Sequence, residues 1–225
     1  MSLFTAARDR IRGSAVEWLQ RAVVKDLDAR VKELLAAAVD KWRADGWDRF
    51  DSHEDNCTVQ VYRWIRECTR RDSRFALLTV CLQYVNVAPE ILRGNQSAQT
   101  ATRPDLRIEV AQEGRAIECK RIEPGGAWVR DYVHKGLARF VTGNYGYAEE
   151  TGFMIGYVGS GAPGTLIARI NGYINRMWNT VGQRPITPGR YAPPILFGAS
   201  RHVRLGSQAV TAHIDICHLL VELDS

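Results

Sequence analysis

Apolar residues return at every third or fourth position through Val24, Leu27, Val31, Leu34 and Ala38, the spacing of one buried stripe along a helix. A helix over about Thr5 to Trp42 follows, with Gly13 able to interrupt it. Ala44-Asp45-Gly46-Trp47 ends it, since glycine is the usual helix stop. So short a repeat does not make a coiled coil, and the stripe is expected to pack on its own domain, with a dimerising arm as second choice. A second helix spans about Glu54 to Arg70 and turns Val59, Tyr62, Ile65 and Trp64 inward.

The period then changes. Phe75 to Val87 is strand-like, and Pro89 to Thr102 reads as a loop or short helix that leads on and lines a cleft. Leu106 to Val110 alternates apolar with polar, whereas Arg115 to Ile122 crowds Ala116, Ile117, Cys119 and Ile122 together as a central strand does. The polar turn Gln112-Glu113-Gly114 joins the two into a hairpin. After Gly125-Gly126 a helix begins near Ala127, with Trp128, Tyr132, Val133, Leu137, Phe140 and Val141 on its apolar face. Gly152 to Gly159 is a buried strand beside the hairpin, and Pro163 opens a helix of about Gly164 to Asn179. Arg184 to Pro194 is a proline-rich turn; Ile195 to Ser200 and His213 to Val221 are strands connected through Ser200 to Ala212, the last of them joining the sheet.

At 225 residues, 45% hydrophobic and 24% charged, the chain can bury a substantial core. The expected division is a helical arm over 1–45 and one main domain over 46–225. Cys57, Cys68, Cys81, Cys119 and Cys217 are odd in number with no CxxC pair, so reduced thiols are expected and neither a disulfide framework nor a zinc site. His202, His213 and His218 lack ligand spacing and are expected to be structural, and a lone His134 is left out of the chemistry. The absence of a secretory signal and of a long apolar run points to a cytoplasmic protein without a membrane partner. A net charge of +5 favours a polyanionic partner but decides little alone.

The chemistry concentrates in RPDLRIEVAQEGRAIECKRI, Arg103 to Ile122. Side chains alternate faces along a strand, so Glu118 and Lys120 project from one side while Ile117 and Cys119 project from the other. Asp105 stands at the mouth of the neighbouring strand. Two carboxylates converging there would repel unless a divalent cation lay between them, and Mg²⁺ or Mn²⁺ suits oxygen ligands. Lys120 is then placed to orient or help deprotonate an attacking water, or to stabilise charge on a phosphate. The bland alternative is an exposed hairpin with ordinary surface charges, but a lysine in a central strand needs a reason.

Pro104-Asp105 followed by Glu118-Cys119-Lys120 resembles the PD-(D/E)xK nuclease superfamily, over roughly Glu54 to Gly159. The resemblance implies a three-layer, restriction-endonuclease-like α/β fold with a central mixed sheet, an αβββαβ core, and an N-terminal helical extension. It implies that Asp105, Glu118 and the main-chain carbonyl of Cys119 hold the metal, that Lys120 serves catalysis, and that an acid from the first core helix, matched here by Glu54, helps. Asp55 and Glu67 compete with Glu54 for that part. Lys135 and Arg139, on the helix after the motif, and Arg63 and Arg70, with Arg66, Arg71 and Arg74, on or just after the helix of Glu54, are candidates to contact nucleic acid, as are Arg201 and Arg204 near the C-terminus, with solvated helix faces as the plain alternative. The expected function is a Mg²⁺-dependent nuclease, an endonuclease acting on DNA, with a weaker likeness to phage-defence proteins. The alternatives are a catalytically silent nucleic-acid-binding or interaction module of the same fold, or the nuclease subunit of a larger complex; a homodimer or a partner protein is allowed for.

Overall fold

The computed structural model describes residues 22, 24–46, 53–83, 103–178, 181–205 and 209–223. Its elements are α1 (Leu27–Ala44), α2 (Glu54–Arg71), β1 (Thr79–Leu82), β2 (Leu106–Val110), β3 (Glu113–Ile122), α3 (126–141), β4 (Thr151–Val158), α4 (Pro163–Met177), β5 (Arg184–Ala192), β6 (Ile195–Val203) and β7 (His213–Glu222). Helix α3 is interrupted by a π-helical turn over Tyr132–Leu137.

The strands form one mixed sheet in the order β1-β2-β3-β4-β7-β6-β5. Its centre, β3-β4-β7, is parallel, and the pairs on either side are antiparallel. Parallel strands are covered on both faces, which is why β4 reads almost without polar residues and is buried from Gly152 to Val158. On one face Leu34 and Leu35 of α1 and Val61 and Ile65 of α2 share a core with Ile108, Ile117, Phe153 and Tyr157. On the other, Val133 and Leu137 of α3 and Ile167 and Ile170 of α4 pack with Ala116, Met154, Ile216 and Leu220. Helices therefore cover both faces of the sheet, an α/β arrangement.

The stripe of α1 lies in the first of these cores, and Asp28 ties the helix to the sheet by accepting from Arg115 Nε and, at 2.7 Å, from Thr151 Oγ1. The helix stops at Ala44, with Gly46 at a φ of 80°. In α2 the inward residues are Cys57, Thr58, Val61, Ile65 and Cys68; Val59, expected inside, is exposed because it lies on the far side of that stripe. The hairpin turn is tighter than expected: β3 starts at Glu113, and Ala111 makes the turn with a φ of 54°. Arg184 to Ala192, expected as a turn, is the edge strand β5; Pro185 and Pro188 are tolerated there because an edge strand can do without ladder donors on one side. The expected helix before residue 21, the end of the first strand-like run after Gln83, and the Pro89 to Thr102 loop lie outside the described residues. All five cysteines are free. Among the described residues no helix is long and apolar enough to cross a membrane.

Candidate active site

Strand β3 outgrows β2. Their pairing ends with Leu106 opposite Ile117, but β3 continues to Ile122, so the main-chain groups of Cys119 and Arg121 face an edge that no strand covers among the described residues. Two carboxylates stand in for the missing strand. Asp105, just before β2, accepts the Cys119 N–H at Oδ2 (2.7 Å), and Glu54, the first residue of α2, accepts the Arg121 N–H at Oε2 (2.9 Å). A polar main-chain group left unpaired in the interior is costly, so these bonds hold both acids in place.

Glu118 and Lys120 project toward α3, the face opposite Ile117 and Cys119. The ammonium of Lys120 donates to Glu54 Oε1 and to the Cys119 carbonyl, both at 2.8 Å, and lies 2.9 Å from Glu118 Oε1. Arg139 Nη1, from α3, donates to that same Glu118 oxygen at 2.9 Å. Asp105, Glu118, Lys120, Glu54 and the Cys119 carbonyl, all expected from the sequence, are thus brought together, and Arg139 joins them.

Glu118 is 0% exposed, and its Oε2 has no hydrogen-bond partner among the described residues. Burial, then the charge of Asp105, pushes its carboxyl up to about 7 against the opposing pull of Lys120 and Arg139. Burial also raises Asp105, offset in part by the Cys119 amide. Burial works against the charge of Lys120, but Glu118, then Glu54 and Asp105, outweigh it and hold the ammonium above the ordinary lysine range. A lysine held this way is a poor proton acceptor. Of the roles the sequence offered it, orienting water and stabilising charge are those that a protonated Lys120 suits.

Three further residues shape the site: Gly136 and Tyr145, missed in the sequence, and Arg204, offered there as a phosphate contact but buried on main-chain carbonyls instead. Gly136, in the π turn, lies against the sheet where a Cβ would meet Met154 Cε at 2.6 Å and Lys120 Cγ at 3.4 Å, so its lack of a side chain lets α3 approach the lysine. Tyr145 accepts from Arg139 Nη1 and donates to the Arg103 carbonyl at 2.8 Å, joining the arginine to the stretch before Asp105. Arg204, buried, donates to the carbonyls of Phe140, Tyr145, Gly146 and Glu149, clamping the segment that follows α3. Glu149, at the end of that segment, pairs with Arg107 and accepts the Ala116 N–H at 3.0 Å.

The other proposed nucleic-acid contacts are not at this edge. Lys135 is exposed and pairs with Asp131 one turn back on α3 (2.7 Å). Arg63 lies nine residues after Glu54, two and a half turns at about 100° per residue, which places it on the opposite side of α2. With Arg66 and Arg70 it lines a shallow groove beside Val59, Tyr62 and Glu67. His134 is exposed and edge-on to Tyr173. His202 and His218 are buried in a polar chain in which Tyr132 Oη meets His218 Nδ1 at 2.8 Å and Ser200 Oγ meets both histidines, at 2.6 and 2.8 Å, as structural residues would.

No family model matches the chain, and no curated protein and no solved structure matches it. The site has to be interpreted from its own chemistry. Among the described residues no three His, Cys, Asp or Glu side chains form a metal-holding group. The donors that do fit a divalent cation are Asp105, Glu118 and the Cys119 carbonyl, all hard oxygens of the kind Mg²⁺ and Mn²⁺ prefer. Glu118 Oε2, a buried oxygen without a partner, is the acceptor that a cation would satisfy. Glu54 is already engaged at both oxygens, by Lys120 and by the Arg121 amide.

Proposed function

We propose that this chain is a metal-dependent nuclease of the PD-(D/E)xK, restriction-endonuclease-like class, hydrolysing phosphodiester bonds in nucleic acid, with DNA as the first substrate to test. The observation that carries the reading is the convergence of Asp105, Glu118, Lys120 and Glu54 on the stretch of β3 beyond its pairing with β2. The element order from α2 to β4, helix, three strands, helix, strand, supports it.

Asp105, Glu118 and the Cys119 carbonyl would hold Mg²⁺ or Mn²⁺. What such a cation supplies is Lewis acidity, which polarises the phosphate and favours deprotonation of the attacking water. The chain supplies placement and charge. Lys120, anchored by Glu54 and kept protonated, positions the water and offsets the charge that builds on the phosphate. Arg139, half-exposed and fixed by Glu118 and Tyr145, presents the rest of its guanidinium to the phosphate from the α3 side. Asp105 and Glu54, by capping the β3 amides, keep the strand edge open to substrate.

A second reading has an observation of its own. Lys120 and Arg139 already neutralise much of the acidic cluster, so the network can stand without a metal, as it would in a silent binding module or in a subunit awaiting a partner. One experiment separates the two. Purified protein is incubated with plasmid, linear duplex and single strands, with and without Mg²⁺ or Mn²⁺, beside Glu118→Ala. Metal-dependent cleavage that Glu118→Ala abolishes is expected. Cleavage unchanged by that substitution would overturn the assignment, and no cleavage on any substrate would favour the silent module.

A further inference from the structure

Next to the acidic edge stands an exposed tryptophan that the chemistry above does not use. Trp128, in the first turn of α3, is 43% exposed, whereas Trp42 and Trp178 are buried. Its ring is held from one side. The guanidinium of Arg121 lies over it, with Cζ 5.6 Å from the ring centroid. Arg121 is itself braced: its Nε donates to Glu123 Oε1 at 3.0 Å, its Nη2 lies 2.9 Å from the same oxygen, and Ser160 Oγ donates to Glu123 Oε2 at 2.6 Å. Gly159 leaves room for that brace, since a Cβ there would collide with Glu123 Oε1. Arg121 follows Lys120 directly, and its N–H is the one that Glu54 accepts. The platform and the catalytic cluster therefore share one strand end.

A flat indole partly open to water, fixed from behind by a guanidinium and set beside a phosphodiesterase edge, suits one kind of ligand group. We infer that Trp128 is a stacking platform for an unpaired nucleobase next to the scissile phosphate, so that the substrate is single-stranded or splayed nucleic acid and not intact duplex. Base–aromatic stacking tolerates any base, because every base has a π face, and a buried base pair cannot offer that face. Arg121 adds a positive charge near the same nucleotide. The inference rests on the nuclease reading for its placement, but not for its test.

The test is binding without cleavage. Full-length protein in EDTA is titrated with a single-stranded oligodeoxynucleotide and with the same strand annealed to its complement. The wild type should prefer the single strand. Trp128→Ala should weaken single-strand binding roughly five- to hundred-fold and leave duplex binding unchanged, while Trp128→Phe keeps most of the affinity. A series of oligonucleotides with one abasic position each should contain a position whose loss matches that of Trp128→Ala and adds nothing to it. Equal losses on single strand and duplex, or no loss from Trp128→Ala, would overturn the platform even if the protein cuts DNA. A selective loss in a protein that cuts nothing would leave the platform standing and remove the nuclease reading instead.

Discussion

Glu118 has no exposed surface, one oxygen claimed by two cations and the other by none. That setting has a thermodynamic consequence. Its folded pKa, about 7, lies above the ordinary 4.5, so the folded state holds the proton more tightly than the unfolded chain does. Its contribution to stability is therefore present below the unfolded pKa and is lost as pH rises toward the folded one, by about 2–3 kcal/mol. Urea unfolding of metal-free protein at pH 5 and pH 8 should show that decline. Glu118→Gln, similar in size but unable to ionise, should flatten it and also abolish cleavage; an equal decline in Glu118→Gln would show that another group titrates. Asp105 pushes in the same direction, so a residual slope is expected. The three motif residues were legible because a strand has a period of two, which fixes that Glu118 and Lys120 share a face wherever β3 lies. Their burial was not, since it depends on α3 closing over them.

Helix α3 delivers Arg139, and the π turn within it is what the sequence did not announce. A single turn of different winding changes which residues face the sheet, yet it leaves the apolar spacing nearly intact, so periodicity still predicted one helix. Lys135 and Arg139, expected to act together, are separated by it in outcome: the first pairs with Asp131 in solvent, the second reaches Glu118. Gly136→Ala tests how tightly the turn is fitted. Its new methyl would press on the flexible end of Met154 and on the stem of Lys120, so stability should fall by only about 1 kcal/mol while activity falls tenfold or more. Thermal melts beside single-turnover rates would check this, and loss of both in proportion would mean that the helix, and not the lysine, is what moves. The roles of Tyr145 and Arg204 were illegible for a different reason. Their partners are main-chain carbonyls far away in sequence, and such bonds leave no pattern in residue type.

Across the whole molecule, the basic residues expected to meet nucleic acid do not share one surface. Arg139 stands beside Glu118 at the end of β3, while Arg63, Arg66 and Arg70 occupy the outer face of α2, turned away from the sheet. Sequence spacing placed Arg63, Arg66 and Arg70 near Glu54 but could not tell which side of α2 the sheet would cover; the exposed Val59 marks the same misreading. Affinity for nucleic acid in EDTA should fall steeply with salt, and Arg139→Glu should reduce the slope by about one phosphate contact. Arg63→Glu should change it no more than Lys32→Glu, a reversal on the exposed side of α1. Equal effects of all three reversals would mean that net charge alone governs binding. At this scale the sequence was most misleading in β5, where prolines suggested a turn; they are compatible with a strand because it closes the sheet on one side.

The stretch of β3 that no described strand covers also bears on self-association. A strand rich in buried apolar residues that offers free N–H groups is a template for another chain to pair with. Here Asp105 and Glu54 occupy the two donors that such a chain would need, and their charges repel its carbonyls. On the proposed reading, guarding against self-association and doing chemistry fall to the same two carboxylates. Selection that relaxed on catalysis would still act on these positions, and a protein that had lost its activity could retain both acids for the sake of solubility alone.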